Sequence, residues 1–371
     1  MRKACIVLPT YNEAENIEIL IPKIFRAVEK LNNWEVHILV VDSLSPDKTA
    51  EIVKKLMKKY PRLHLLVTAK EGLGKAYIKG FNEAIRTINP YLFFEMDADL
   101  SHDPAVLPNF FKQIELGADF VIGSRYIKGG SIPKDWGFHR KIFSFLGNMI
   151  VRLGFMKLKI TDWTSGYRAI KSWLIKSVFD HIKNYSGYVF QIALLDQAIK
   201  RQAIIKETPI SFQNRKKGVS KINFSQYIFQ VLIYVFLNSS FIKYVIVGFI
   251  GFFIDFALSY TMIEKLHFKK ESFWLVTAIS AEMAIISNFI LNNYWSFSYK
   301  KLENKVSTFI ISFLKFNFVS LGALIIQAFG IQILTNFFGP QYWYIYKVLI
   351  IGLIIIPYSY TLYNKFIWKN K

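Results

Sequence analysis

Four long apolar runs follow one another in the C-terminal third of the 371-residue chain, and no other feature constrains its fold as strongly. A helix that spans a bilayer needs about 20 consecutive apolar residues, and each run is long enough. We therefore predict an all-α membrane domain with transmembrane helices at about residues 242–263, 273–296, 312–336 and 343–363. A very apolar soluble helical bundle is the alternative, although four such runs in succession exceed the usual length of globular helices.

The charged residues divide the chain into two unlike parts. Residues 231–371 contain only 5 of the 26 acidic and 12 of the 47 basic residues. A disordered chain is excluded because 53% of the residues are hydrophobic. A disulfide scaffold is excluded because Cys5 is the one cysteine. We predict a water-compatible α/β domain over residues 1–221, an interfacial helix over 222–240 and the membrane domain over 241–371.

We expect no signal peptide at the N-terminus, because Met1–Lys3 leads directly into the short apolar segment Ala4–Leu8. We therefore expect a multi-pass plasma-membrane protein whose α/β domain stays in the cytosol. Four spans return the C-terminus to the same side. The three lysines within residues 300–305 support this orientation by the positive-inside rule, whereas the three within residues 265–270 argue against it.

The membrane domain has the pattern of two tandem helical hairpins. Phe241–Tyr244 and Phe313–Phe316 open corresponding helices, while Asn293–Phe297 and Asn364–Trp368 close them, at offsets of 72 and 71 residues. Chance matching of short aromatic strings is the alternative.

Two carboxylates interrupt the predicted spans. Asp255 lies in the first span and Glu282 in the second, and ionisable residues inside a membrane are costly and functional by default. Two interpretations remain open. The carboxylates line a polar path or hold the repeats together, or they lie near the interface beside a hydrogen-bonding partner such as Asn288.

Residues 4–123 alternate short apolar runs with amphipathic stretches, which is typical of a doubly wound, mostly parallel sheet. The predicted strands are Ala4–Leu8, Val36–Val41, Leu63–Val67, Tyr91–Met96 and Asp119–Ile122. The predicted helices are Glu13–Leu31, Asp47–Tyr60, Lys75–Thr87 and Pro104–Leu116. Because ligands bind beyond the carboxyl ends of the strands in such sheets, the residues that follow each strand form the candidate site.

Residues suited to binding a nucleotide or its metal ion follow each of the first four strands. They are Pro9, Tyr11, Asn12, Glu13, Asp42, Gly72, Asp97, Asp99 and Ser101. Proline and tyrosine rings stack on a base, and carboxylates accept hydrogen bonds from a base or a ribose. Glycine permits close approach of the backbone.

The pair Asp97 and Asp99 is the sharpest of these signals. Carboxylates two residues apart at the end of a strand project to the same side, with about 7 Å between their Cα atoms. One Mg²⁺ or Mn²⁺ is suited to one or two carboxylates together with substrate phosphates. A lone pair of this kind also occurs in ordinary solvated turns, so its position after an apolar strand gives the signal its weight.

Several short segments, taken in their order and spacing, resemble glycosyltransferase family 2 with the GT-A fold. They are Pro9–Glu13, Asp42–Asp47, Asp97–Asp99, Gly123–Tyr126 and Thr164–Arg168. Within the family, the chain resembles the branch of dolichol-phosphate-mannose synthases and polyprenyl-phosphate glycosyltransferases over about residues 3–225. The membrane repeat resembles the GtrA-like four-helix domain that is fused to some of these enzymes.

On the donor side, the resemblance implies that Pro9, Tyr11, Glu13 and Asp42 hold the nucleoside. It also implies that Asp97 and Asp99 bind the metal and the donor diphosphate. Ser101 occupies the position where the family often has glutamine as a third ligand, and Ser43 replaces a usual aspartate. The segment 67–69 lacks the arginine that relatives often carry. These departures bear on the identity of the donor base more than on the chemistry.

On the acceptor side, the resemblance implies that Arg125, Arg140 and Ser144 bind the lipid phosphate, while Asp162 and Gln191 line the sugar pocket. Residues 136–159 are amphipathic and predict a helix in the membrane interface.

A basic loop lies between the two predicted domains. By resemblance it grips the donor diphosphate through Arg215, Ser220 and Lys221. An ordinary juxtamembrane basic cluster that attracts anionic lipid is the alternative.

The resemblance implies inverting transfer of one hexose from a nucleotide sugar to a dolichol or polyprenol phosphate, with mannose from GDP-mannose favoured. The alternatives are a UDP-glucose or UDP-N-acetylhexosamine polyprenyl-phosphate transferase, and a lipid-sugar flippase with an accessory domain. Nucleic acid is not an expected partner, because an anionic bilayer and lipid phosphates account for the net charge of +21.

Overall fold

The computed structural model describes residues 1–185, 187–214 and 224–369. These residues form two compact units, Met1–Val235 and Phe236–Lys371. The predicted boundary at residue 221 lies outside the described residues.

A seven-stranded mixed sheet forms the centre of the first unit. Its strands are β1 Arg2–Thr10, β2 Trp34–Asp42, β3 Leu63–Val67, β4 Leu92–Glu95, β5 Phe120–Ser124, β6 Arg168–Lys171 and β7 Ile205–Pro209. Their order across the sheet is β3-β2-β1-β4-β6-β5-β7. Only β6 runs antiparallel, and it pairs with β4 on one side and β5 on the other. The carboxyl ends of β1, β2, β3 and β4 therefore lie at one edge.

Amphipathic helices cover the sheet and bury its apolar strands. The helices of this region are α1 Ala14–Val28, α2 Thr49–Met57, α3 Leu73–Thr87, α4 Leu107–Glu115, α5 Phe138–Gly154, α6 Ser172–Ile182, α7 Gly187–Lys200 and α8 Phe224–Asn238. Helix α3 packs closely against the sheet because Gly80 has no side chain. A Cβ atom there would lie 2.6 Å from Val7 Cγ1 and 2.9 Å from Val41 Cγ2.

All five predicted strands are present, and the structure adds β6 and β7. Apolar periodicity missed both additions. Strand β6 has only four residues, two of them charged, and β7 is a half-exposed edge strand that contains Lys206 and Glu207. The predicted interfacial helix at 136–159 is shorter in the structure, because α5 ends at Gly154 and Met156 adopts a positive φ of 52°. Ser239 caps α9, so α8 ends at Asn238 instead of reaching residue 240.

The second unit contains four helices long and apolar enough to cross a membrane. They span Ser240–Lys265, Phe273–Ser296, Val306–Phe338 and Pro340–Ile367. Their regular α-helical parts are α9 Ser240–Tyr260, α10 Phe273–Leu291, α11 Val306–Phe338, α12 Trp343–Ile350 and α13 Ile356–Leu362. Helix α11 begins before the predicted residue 312 because the apolar sequence continues on the N-terminal side of Lys315 as far as Val306. Pro357 follows a π-helical turn at Ile351–Ile355, which accommodates the missing proline N–H.

The second and fourth spans close with the same local structure 71 residues apart. Asn292–Ser296 and Tyr363–Ile367 are both π-helical turns. Phe297 and Trp368, which follow these turns, stack with ring centroids 4.5 Å apart. The geometry supports the repeat proposed from the sequence.

Asp255 finds its partner on the neighbouring helix. Ser280 Oγ donates to Asp255 Oδ1 at 2.6 Å, so the suggested partner Asn288 is replaced by Ser280. Asn288 instead lies opposite Gly251, where a Cβ atom would meet its amide. Glu282 is exposed on the surface of α10.

Candidate active site

The loops after β1 and β2 are joined through one buried carboxylate. Asp42 is 1% exposed and accepts hydrogen bonds from Thr10 Oγ1 at 3.0 Å and from Ser45 Oγ at 2.6 Å. Ser45 Oγ in turn accepts from the backbone N–H of Asn12, which has a positive φ of 62°. The structure thus brings Asp42 and Asn12 together, as the sequence predicted, and gives Asp42 a part in shaping the loop.

Tyr11, Glu13 and Gly72 lie at the same edge of the sheet. Lys70 Nζ lies 3.4 Å from the centroid of the Tyr11 ring, so the loops after β1 and β3 meet at this cation–π contact. Glu13 Oε2 accepts from Asn16 Nδ2 at 2.6 Å. Gly72 precedes α3 with φ of 99°, a conformation that requires glycine. Lys70 was not among the predicted site residues, although it lies in the loop between β3 and α3.

Asp97 and Asp99 follow β4 in a tight turn that also contains Ser101 and His102. Asp99 is 4% exposed, and its Oδ1 accepts from the backbone N–H of Ser101 at 3.0 Å. His102 Nδ1 accepts from the backbone N–H of Asp97 at 3.0 Å, while its ring stacks on Tyr167. The imidazole therefore fixes the backbone from which the Asp97 carboxylate extends. Sequence reasoning missed this role of His102, because a turn contact leaves no periodic signal.

The donor set of this turn fits a hard divalent cation. Ser101 is fully buried, and its Oγ has no hydrogen-bond partner among the residues that the structure describes. No cluster of three His, Cys, Asp or Glu side chains suited to a metal occurs in the same described part of the chain. Asp97, Asp99 and the Ser101 hydroxyl therefore offer oxygen donors that substrate phosphates and water would have to complete, as Mg²⁺ and Mn²⁺ sites commonly require.

Gln191 and Gly166 border the Asp97 carboxylate. A Cβ atom on Gly166 would lie 3.8 Å from Asp97 Oδ1 and 3.9 Å from Gln191 Nε2, so these groups converge on one point. Gln191 is 2% exposed, and its amide makes no hydrogen bond of normal geometry within the described residues. The structure thus places the predicted pocket residue Gln191 next to the predicted metal ligand Asp97.

Arg125 and Asp162 form a buried, bidentate ion pair. Arg125 Nε and Nη2 each donate to an Asp162 oxygen at 2.7 Å, and Nη2 also donates to Thr164 Oγ1 at 2.8 Å. Burial alone would raise the pKa of Asp162, but the charge and hydrogen bonds of Arg125 outweigh it and hold that pKa below its ordinary value. Asp162 is fully buried, so the structure places it behind Arg125 and away from any open surface.

Arg140 and Ser144 lie on the first turns of α5. The Arg140 guanidinium lies 4.0 Å from the centroid of the Trp136 ring. The Ser144 hydroxyl is 2.6 Å from the hydroxyl of Tyr126, the residue after Arg125. The helix thus carries Ser144 close to the Arg125 segment. Arg215, Ser220 and Lys221 lie outside the described residues, so their proposed contact with the donor stays a prediction.

Two further buried ionisable residues, Glu95 and Arg168, lie on neighbouring strands of the sheet, and neither was among the predicted site residues. Glu95 on β4 is directly opposite Arg168 on β6. Burial raises the pKa of Glu95 to about 7, although Arg168 and Gln191 oppose the shift. Burial also lowers the pKa of Arg168 to about 10, so the guanidinium remains charged at neutral pH. A charged residue inside the apolar run Tyr91–Met96 was the available signal.

Comparisons with known proteins agree with this arrangement. Residues 5–193 match the model of glycosyl transferase family 2. The chain belongs to glycosyltransferase family 2, and it is an enzyme. Residues 243–368 match the GtrA/DPMS transmembrane domain. Within the family, it is therefore a member whose catalytic domain is fused to a membrane domain of that type.

Curated relatives resemble the chain over most of its length. A dolichol-phosphate mannosyltransferase of Pyrococcus furiosus is 31% identical over 348 residues, which cover 92% of each chain. A polyprenol monophosphomannose synthase of Mycolicibacterium smegmatis is 37% identical over 60% of this chain and 82% of its own. An undecaprenyl-phosphate mannosyltransferase of Micrococcus luteus is 36% identical over 58% and 86%.

A solved structure confirms the predicted α/β fold. Glucosyl-3-phosphoglycerate synthase from Mycobacterium tuberculosis, in complex with Mn²⁺, UDP-glucose and phosphoglyceric acid, aligns with a TM-score of 0.50 at 18% identity. The alignment covers 63% of this chain and 79% of the other. At this identity the likeness establishes the GT-A-type architecture.

The Arg125–Asp162 pair predicts a specific pH dependence of stability. In the wild type, the lowered pKa of Asp162 stabilises the fold above the ordinary value of about 4, and this contribution is lost as the pH falls through the folded-state pKa. In Arg125→Met, Asp162 stays buried without its cation, so its pKa rises and stability is lost as the pH increases. We expect a deficit that is small near pH 4 and reaches about 3–5 kcal/mol near pH 7.

The melting temperature of the detergent-solubilised protein, followed by tryptophan fluorescence, measures this deficit. In the matched double variant Arg125→Met/Asp162→Asn no carboxyl group remains at this position, so its deficit should not grow with pH. A deficit of Arg125→Met that is constant from pH 4 to pH 7 would contradict the proposed balance of burial and charge.

Proposed function

We propose that this enzyme transfers mannose from GDP-mannose to the phosphate of a dolichol or another polyprenol. The observation that carries the proposal is the oxygen-donor turn Asp97–Ser101 at the sheet edge, in a chain that also has a GtrA/DPMS transmembrane domain. The curated relatives named above are two mannosyltransferases, named for dolichol phosphate and undecaprenyl phosphate, and a polyprenol monophosphomannose synthase. A nucleotide sugar needs diphosphate binding, and a lipid acceptor needs a membrane-bound enzyme.

The reaction is a direct displacement at the anomeric carbon. An oxygen of the lipid phosphate forms a bond to that carbon while the bond to the donor diphosphate breaks, and the nucleoside diphosphate leaves with the electron pair. The anomeric configuration inverts. The attacking phosphate is already anionic at neutral pH, so the chain needs no strong general base. Its residues contribute orientation and charge neutralisation.

Asp97, Asp99 and Ser101 would hold Mg²⁺ or Mn²⁺ together with the donor diphosphate. When bound, such an ion neutralises charge that develops on the leaving phosphates. His102 fixes the turn through the backbone N–H of Asp97, and Asp99 fixes it through the N–H of Ser101. The adjoining nucleoside site consists of Pro9 near the end of β1 and of Tyr11, Asn12, Glu13, Asp42 and Gly72.

Arg125 and Arg140 are the two proposed ligands of the lipid phosphate, and their guanidinium groups are held in different ways. The charge of Arg125 is balanced by Asp162, and its guanidinium is held rigidly by three hydrogen bonds to side chains. Arg140 is held differently, by stacking on Trp136 at the beginning of α5. We assign both arginines to the lipid phosphate, Arg125 as a rigidly fixed donor and Arg140 as a donor on the amphipathic helix α5.

Helix α5 is suited to the membrane interface. Phe138, Phe145 and Leu153 are exposed along it by 73%, 55% and 49%, beside the basic residues Arg140 and Lys141. Exposed aromatic and aliphatic side chains next to basic ones are typical of helices that lie in the plane of a bilayer. We place the reaction at the cytosolic face of the plasma membrane.

The metal assignment is tested by comparing Asp99 with Asp103, an aspartate that lies just after the same turn. Asp99→Asn removes a charged oxygen donor, and we expect the transfer rate to fall by about 10²–10³-fold. Asp103→Asn is the matched control, because Asp103 caps the following helical turn by accepting from the N–H of Ala105, which asparagine also does. The assay measures transfer of radiolabelled hexose into an organic-extractable, mild-acid-labile lipid. EDTA should abolish the wild-type reaction, and Mg²⁺ or Mn²⁺ should restore it. Undiminished transfer by Asp99→Asn would refute the assignment.

The same assay distinguishes the donors. GDP-mannose should support transfer, whereas UDP-glucose and UDP-N-acetylglucosamine should give little product. Efficient transfer from either UDP-sugar would contradict the proposal of mannose as the transferred sugar. It would leave the proposal of a lipid-phosphate acceptor unchanged.

Arg140 and Lys141 provide a matched pair for the acceptor. Arg140→Met should raise the KM for polyprenyl phosphate by about tenfold or more, because a charge-assisted contact with phosphate is lost. Lys141→Met removes the positive charge next to Arg140. The Nζ of Lys141 donates to the carbonyl of Lys134, so its loss should leave the KM for polyprenyl phosphate close to wild type. Equal increases in both variants would indicate general attraction to the bilayer instead of a specific phosphate contact.

A further inference from the structure

Arg168 is a buried cation whose hydrogen bonds go to two separate segments of the catalytic domain. Nη1 donates to the carbonyl of Gln191 at 2.6 Å, and Nη2 donates to the carbonyl of Trp163 at 2.8 Å. The side chain is fully buried, and Glu95 lies opposite it on the neighbouring strand. One planar guanidinium thus links a loop to helix α7 across strand β6.

Each of the two segments carries groups of the site. Trp163 stands between Asp162 and Thr164, the two residues whose side chains hold Arg125. Gln191 belongs to α7, and its amide lies beside the Gly166 backbone near the Asp97 carboxylate. A shift of the first segment would therefore move the side chains that hold Arg125, and a shift of the second would move the amide that borders the Asp97 carboxylate.

Stability alone does not account for two buried ionisable side chains at this position. Replacing even a buried ion pair by apolar residues of similar volume is often neutral or stabilising, and among the described residues no hydrogen bond joins the Glu95 carboxylate to Arg168. The planar guanidinium of arginine donates in two fixed directions to two carbonyls at once, which an apolar side chain does not do. Lysine keeps the charge but carries its donors on a single flexible ammonium.

We propose that Arg168 is a positioning residue for sugar transfer, which holds the Asp162–Gly166 loop and the Gln191 turn of α7 in register beneath Asp97. The proposal rests on the glycosyl-transfer function proposed above. Arg168 touches neither substrate, and it acts through the backbone of two segments that do.

The test compares variants of strand β6 in the full-length, detergent-solubilised enzyme. In Arg168→Met/Glu95→Met both buried charges are removed together, so no unpaired carboxylate remains; the carbonyls of Trp163 and Gln191 lose a donor, and the variant should stay folded with a moderately lowered melting temperature. Its kcat at saturating donor and acceptor should nevertheless fall by about 10²-fold, since misplacement by about 1 Å has this effect. The KM values should change little. Arg168→Lys should fold and also show a lowered kcat, because one ammonium does not replace the fork.

Lys171→Met is the matched control on the same strand. Lys171 pairs with Asp119 at 2.9 Å, at the end of β6 remote from Arg168, and its loss should affect melting temperature more than kcat. Amide hydrogen exchange supplies a readout without turnover. In the double variant, exchange should rise in residues 161–167 and 187–193, and it should not rise in these segments of Lys171→Met.

The outcomes separate the two proposals. A wild-type enzyme that transfers no hexose to polyprenyl phosphate refutes the proposed function, and the exchange data still decide the role of Arg168. A stable double variant with wild-type kcat and unchanged exchange overturns the positioning role. An equal loss of kcat in Lys171→Met overturns it as well.

Discussion

The parallel pairing of β1 with β2 and β4, and of β2 with β3, is the constraint on which the rest of the catalytic domain depends. Parallel strands end on the same side, so the loops after them meet at one edge although they are far apart in sequence. Asp42 accepts a hydrogen bond from Thr10 across 32 positions of the chain, and Lys70 lies over Tyr11. The site is therefore built from short loops on a rigid sheet, which fixes polar groups without a large cost in conformational entropy.

Strand β6 modifies this arrangement, and its effect is electrostatic. By running antiparallel between β4 and β5, it brings Arg168 opposite Glu95 directly beneath the turn of Asp97 and Asp99. The loop before β6 supplies Asp162, which balances Arg125. Two buried arginines thus face two buried carboxylates next to a site that has to hold phosphates. The ion pair between Arg125 and Asp162 limits the cost of burying these two charges, and it fixes the Arg125 guanidinium.

Local patterns made much of this architecture predictable. Apolar runs located five strands and four membrane spans, and the residues after the strands included Asp97, Asp99 and Asp42. The pairing of β6 was not predictable, because four residues with charged ends give no periodic signal. Contacts such as His102 with the N–H of Asp97, or Ser280 with Asp255, depend on how the chain folds back on itself. Helix ends were misplaced where an apolar helix continues past a single charge, as it does past Lys315 to Val306, or where a cap such as Ser239 intervenes.

The central claim is that a divalent cation and the donor diphosphate meet at Asp97, Asp99 and Ser101. A structure of the full-length enzyme with Mn²⁺ and GDP, with data collected at the manganese absorption edge, tests it most directly. The account predicts one anomalous peak within coordination distance of the Asp97 and Asp99 carboxylates, with diphosphate oxygens beside it and the Ser101 hydroxyl turned toward it. Diphosphate bound at another edge of the sheet, or a manganese peak away from both aspartates, would contradict it.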